Sequence, residues 1–133
     1  MKKIADSGLL IAALDRGDEH HQWACRAFEE HQPPWFVCEP VLAEVSASIG
    51  TPIPVLEMLL AGDLEMAFQI EEHAPELLAL VRKYRDQKMD LADACVVRMS
   101  ELFDATVFTV DKKDFSIYRR HSRQKVPCVF PEQ

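Results

Sequence analysis

No stretch of this chain approaches the roughly 18 consecutive apolar residues that a membrane-crossing helix needs, so none is expected. The N-terminal MKKIADSGLL combines two lysines with apolar residues, but Asp6 interrupts them and no cleavage-type sequence follows, which argues against a signal peptide. The four cysteines, Cys25, Cys38, Cys95 and Cys128, form no C-x-x-C pair and keep no regular spacing. That pattern argues against a zinc site and a disulfide framework. Set among apolar neighbours, they read as buried reduced thiols, which points to a cytoplasmic protein. Positive charge is also scarce: 15 lysines and arginines face 22 acids, for a net charge of −7. Charge alone therefore counts against a nucleic-acid partner, unless bound cations change the local field. There is no G-x-x-x-x-G-K-[ST] loop, and no Ser–His–Asp or Cys–His nucleophile pattern stands out.

What is present is an ordinary globular composition, 48% apolar and 28% charged over 133 residues, enough for one domain with a proper core. Residues 2–5 read as a strand, followed by a helix to about Asp15 with Ser7 as its N-cap. A turn at 15–18 leads to a helix over 19–31, which Pro33-Pro34 ends. Residues 35–38, WFVC, form a second strand, and Glu39-Pro40 opens a helix with Val41, Leu42, Val45 and Ile49 on its apolar face. After the turn-rich 50–54 come a short helix at 55–60 and a third strand at 64–70. Helices follow at 74–85 and 90–103, then a strand at 106–110, a helical turn at 112–118 and a last strand at 126–130. This alternation predicts βαβ units and an α/β fold in three layers, with a mostly parallel central sheet covered on both faces.

Acids gather in the second half of this pattern. Asp86, Asp90, Asp93, Asp104, Asp111 and Asp114 lie within residues 86–115, with Asp6 and Glu44 upstream. Asp6 falls at the carboxyl end of the first strand and Asp111 at that of the fourth. In an open parallel sheet, ligands sit just beyond those ends, where strand order reverses. If the two strands are neighbours, residues more than a hundred positions apart meet there. Each acid also has a plain structural reading. Asp6 before Ser7-Gly8 suits a turn, and Asp111 suits a helix cap. D-L-A-D places Asp90 at an N-cap with Asp93 three residues on, a capping-box spacing that the helix dipole favours. Asp90 is read as that cap, and Asp93 as a ligand aimed at the sheet edge. Glu44 flanks the apolar face of its helix, a place for a paired, protonated or metal-bound carboxylate, or for a solvated one. Together Asp6, Glu44, Asp93 and Asp111 predict a site for Mg²⁺ or Mn²⁺, which prefer hard oxygen ligands. Without the ion, packed like charges would raise at least one pKa. The simplest chemistry of such a site is hydrolysis by metal-activated water.

Four segments then occur in order: I-A-D-S-G-L-L near the start, E-P-V-L-A-E-V, M-D-L-A-D-A-C-V-V, and F-T-V-D-K-K-D-F-S-I-Y. Together they resemble PIN-domain ribonucleases, and most closely the VapC-type toxins of bacterial toxin–antitoxin pairs, over almost the whole chain. Residues 1–133 are accordingly taken as a single PIN-like domain. The resemblance implies an α/β/α sandwich and a Mg²⁺- or Mn²⁺-dependent endoribonuclease acting on RNA. It carries catalytic and metal-binding roles onto Asp6, Glu44, Asp93 and Asp111. Asp114 would be a supporting acid, Thr109 a hydroxyl behind the ligands, and Asp90 an outer-sphere or capping residue. A homodimer and a cognate VapB-like antitoxin that blocks the site are implied as well. The chain departs from the family pattern in a short first strand with two lysines, and in Cys38-Glu39, where small hydroxyl residues are more usual.

The basic run at 119–125, RRHSRQK, suits either a track for a phosphate backbone or a solvated loop. His20 and His21 are read as helix-start residues in preference to metal ligands. Trp23, Phe28 and the helix around Met58 are read as core or interface, with a groove between them suited to an antitoxin helix. Three rival readings are a catalytically silent PIN-like binding module, a structure-specific DNA nuclease, and a receiver-type phosphoacceptor domain. The full set of acids opposes the first. The last needs paired acids soon after the first strand, where Asp6 stands alone.

Overall fold

The central strand is the one whose sequence suits a sheet least. In β1 (Lys3–Ala5) all three residues are buried, including Lys3 at 7% exposed. The lysine is accommodated because its amine donates to the Gln32 carbonyl at 2.7 Å and lies 5.4 Å above the Trp35 ring. A hydrogen bond and a cation–π contact replace part of the lost hydration.

A computed structural model describes residues 1–66 and 68–132. After β1 come α1 (Ser7–Leu14), α2 (His21–Glu30), β2 (Trp35–Val37), α3 (Glu39–Ile49), α4 (Ile53–Leu60) and β3 (Leu64–Met66). The chain continues through α5 (Ala74–Lys83), α6 (Leu91–Phe103), β4 (Thr106–Phe108), α7 (Lys112–Ile117), β5 (Arg119–Arg120), β6 (Gln124–Lys125) and β7 (Cys128–Val129). Five strands form one parallel sheet in the order β3-β2-β1-β4-β7. The chain winds outward from β1 to β3, then crosses back to β4 on the far side of β1. Strand order therefore reverses between β1 and β4. Right-handed crossovers put the helices of the outward and return legs on opposite faces, which gives the expected three-layer α/β/α architecture. On the outward leg α1 packs on α2 and α3, and on the return leg α5 packs on α6.

Helix α6 shows why the return leg is firmly seated. Ala92, Ala94, Cys95, Val96, Val97, Met99 and Ser100 are all buried, so apolar residues cover most of its circumference. In the sheet, Trp35 sits 4.8 Å from both Phe28 and Phe108, tying α2 to β2 and β4. No helix among the described residues is long and apolar enough to cross a membrane.

Several elements are shorter than the sequence pattern predicts. Of the predicted third strand, Leu64–Met66 is strand, Ile70 lies in a short 3-10 turn, and Ala67 is outside the described residues. Glu65 and Met66 are exposed on this edge strand. The last strand is only Cys128–Val129, bracketed by Pro127 and Pro131, which lack the donor a ladder needs. The fourth ends at Phe108 because the chain turns at Thr109 to form the site. Ser7 is not the N-cap of α1. Asp6 holds that position and Ser7 is the first helical residue. Only Cys38 and Cys95 of the four free cysteines are buried; Cys25 and Cys128 are partly exposed.

Candidate metal centre

Parallel pairing of β1 with β4 aligns Ala5 with Phe108, so the two strands end side by side. Beyond that edge the Asp6 N–H donates to the Phe108 carbonyl at 3.1 Å. The buried Thr109 hydroxyl donates to Asp6 Oδ2 at 2.7 Å and accepts from the Asp111 N–H at 3.0 Å. One threonine thus links residues at the ends of two strands. Gly8 permits this closeness, because a Cβ there would run into the Val110 side chain. Asp111 is both cap and site residue: its Oδ1 accepts from the Asp114 N–H at 3.0 Å, starting α7 and drawing Asp114 in beside it.

Asp93 arrives from the other face, on the first turn of α6. Asp90 Oδ1 caps that helix by accepting from the Asp93 N–H at 2.8 Å. The Asp93 side chain makes no reciprocal cap. Its Oδ2 accepts from the Tyr118 hydroxyl at 2.8 Å. Glu44 stands exposed on α3, where its Oε2 accepts from the Ser7 hydroxyl at 3.2 Å.

Asp93, Asp111 and Asp114 each bring a carboxylate oxygen within 4.8 Å of the others. Asp114, expected only to support, is therefore at the centre. Asp6 and Glu44 stand outside that trio and adjoin it, Asp6 through Thr109 and Glu44 through Ser7. Mutual repulsion couples the group. Burial pushes the Asp6 carboxyl up to about 6; the Thr109 hydroxyl and the Ser7 N–H pull it down, and weaker repulsion from Glu44 and Asp111 adds to the rise. Asp93 is pushed up to about 7 by burial and by the charges of Asp90, Asp6 and Asp111, with Tyr118 opposing. Glu44, though exposed, is raised by partial desolvation and by Asp90, and Asp111 by burial and by Asp114. Among the described residues no lysine or arginine forms an ion pair with any of these acids. A cluster of oxygen donors, charged and lacking a protein counter-ion, fits a hard divalent cation.

The basic run is occupied elsewhere. Residues 119–125 form the hairpin β5–β6, closed through left-handed His121 and Ser122. Arg119 donates to the carbonyls of Ser116, Ile117 and Tyr118, while Arg120 donates to the Ser100 carbonyl and pairs with Asp104 at 2.8 Å. Both arginines cap helix carbonyls, which leaves Arg123 and Lys125 as the exposed cations of the run. His21 lies 2.7 Å from the Ala12 carbonyl and plays a packing role. A hollow of about 200 Å³ between α2 and α4 is lined by Phe28, Trp35 and Met58, but also by His31 and Asp63, and Trp23 lies outside it. Sequence reasoning missed two contacts, Ser7 on Glu44 and Tyr118 on Asp93. Tyr118 closes the F-T-V-D-K-K-D-F-S-I-Y segment, the only hint available.

A three-layer fold with a parallel sheet and a knot of carboxylates at its β1–β4 switch point defines a class of acidic, metal-suited sites. The chain belongs to the PIN-domain family, whose profile matches residues 3–120. It is similar to Ribonuclease VapC26 of Mycobacterium tuberculosis, 26% identical over 123 residues that cover 87% of this chain and 91% of that protein.

Proposed function

We propose that this protein is a divalent-metal-dependent endoribonuclease and the toxin of a VapBC-type toxin–antitoxin pair, acting in the cytoplasm as one PIN-like domain. Membership of the PIN-domain family and similarity to a protein named as a VapC ribonuclease support this reading. The observation that carries it is the meeting of Asp93, Asp111 and Asp114 oxygens within 4.8 Å, with no protein counter-ion among the described residues. In this reading Asp93, Asp111, Asp114 and Asp6 hold Mg²⁺ or Mn²⁺, and Glu44 contributes from the rim. The ion supplies Lewis acidity at the phosphodiester and lowers the pKa of water. The chain's own task is placement. Thr109 fixes the Asp6 carboxylate, Asp90 fixes the start of α6, and the raised acids would have to be deprotonated to hold a cation. A net charge of −7 is thereby offset where RNA must approach.

The hollow beside Phe28 and Met58 supports a helical antitoxin segment as partner. Ile53, Leu56 and Leu60, all more than half exposed on α4, support a homodimer. The test is cleavage of total RNA and of DNA by purified protein with Mg²⁺, Mn²⁺ or EDTA, beside Asp6→Asn and Asp93→Asn variants. RNA cleavage that needs metal and is lost in both variants is the expected result. Cleavage in EDTA, undiminished variants, or a preference for DNA would overturn the proposal.

A further inference from the structure

Tyr118 is fully buried, yet its hydroxyl reaches the edge of the acid cluster and donates to Asp93 Oδ2 at 2.8 Å. Its place is set from several sides. The ring stands edge-on to Phe115 and Tyr84, with centroids 5.1 Å from each. Its N–H donates to the Asp114 carbonyl at 3.0 Å, and the Tyr84 hydroxyl accepts from the next N–H, that of Arg119, at 2.8 Å. A phenol held at ring and backbone does not follow a wandering carboxylate; the carboxylate is held by the phenol. Donation to Oδ2 engages that oxygen and leaves Oδ1 as the Asp93 oxygen without a side-chain hydrogen bond among the described residues.

Resting on the metal-dependent reading above, we propose that Tyr118 is a positioning residue that limits Asp93 to one-oxygen coordination and so selects small octahedral ions over Ca²⁺. Ca²⁺ accepts six to eight oxygens, often with both oxygens of a carboxylate, whereas Mg²⁺ requires near-octahedral geometry at roughly 2.0–2.1 Å. A carboxylate with one oxygen withheld serves the smaller ion and denies the larger its extra ligand. Tyr118 also joins the two halves of the cluster, since its N–H is on α7's Asp114 and its hydroxyl on α6's Asp93.

The test is Tyr118→Phe, which keeps the ring and removes only the hydroxyl. Binding of Mn²⁺, Mg²⁺ and Ca²⁺ is measured by calorimetry on the full chain, wild type and variant, with melting followed in EDTA. The expected result is a fall of about tenfold in the preference for Mn²⁺ over Ca²⁺, in the range typical of groups that orient metal ligands. RNA cleavage by the variant should also become more sensitive to added Ca²⁺. An unchanged preference, with wild type binding Mn²⁺ normally, overturns the role of Tyr118 and leaves the metal reading intact. Wild type that binds none of the three ions overturns both. If Tyr118→Phe melts below the assay temperature, Tyr84→Phe takes its place. It removes the Arg119 anchor, a smaller fall is expected, and no fall overturns the proposal.

Discussion

Without metal, Asp6 should work against the fold whose site it helps to build. The residue is 5% exposed, and its burial, with weaker repulsion from Glu44 and Asp111, pushes the carboxyl pKa from 3.8 to about 6. The folded chain therefore binds this proton more tightly than the unfolded chain. The resulting stability is fully present below pH 3.8 and is lost as the pH rises through about 6. Above that, keeping the ionised carboxylate buried costs about 3 kcal/mol, at about 1.4 kcal/mol per tenfold in proton affinity. Asp6→Asn is neutral at every pH and retains an oxygen for the Thr109 hydroxyl. In EDTA at pH 8 the variant should be more stable than wild type by roughly 2–3 kcal/mol, or about 7–10 °C in Tm for a chain of this size. The gap should close near pH 4. Mn²⁺ should narrow the gap, because wild type binds the ion more tightly: an ion at a hundred times its Kd adds about 2.7 kcal/mol, enough to cancel it, and at a thousand times about 4.1 kcal/mol, enough to reverse the order. Thermal melts across pH 4–8, with EDTA or Mn²⁺, read all of this directly. Equal or lower stability of Asp6→Asn in EDTA at pH 8 would refute the reasoning, since it would mean that the protein already neutralises this charge.

Thr109→Val removes the hydroxyl between Asp6 and Asp111 while keeping the side chain's shape. Cleavage should drop about 10–100-fold and Thr109→Ser should restore most of it; equal loss in both would assign the effect to packing. Gly8→Ala drives a methyl into Val110 and should destabilise by about 1–3 kcal/mol in urea titrations, despite a gain of about 1 kcal/mol in helix propensity. Net stabilisation would show that α1 can retreat from the β4 turn at no cost.

The alternation of apolar runs, short turns and amphipathic segments was sufficient by itself to dictate a parallel sheet between helix layers, because burial on both faces and right-handed crossovers leave few alternatives. The same pattern marked Asp6 and Asp111, since a strand's carboxyl end is a local feature, and Asp90, since an N-cap acts on an N–H only three residues away. Only the folded chain decided the rest. Strand pairing put Thr109 between two distant acids, and a cap bond pulled Asp114 into the centre while Glu44 stayed at the rim. Lys3 reads as a flaw in β1 until Gln32 and Trp35 close over it, and Arg119 and Arg120 read equally as a phosphate track or a solvated loop until they fold back onto helix carbonyls. Tyr118 has the apolar periodicity of a core residue, and nothing local announces that its hydroxyl serves an aspartate 25 residues upstream. Periodicity along a chain reports which face is buried. Where a polar atom finds its partner depends on which elements pack together, and that is settled only when the layers meet.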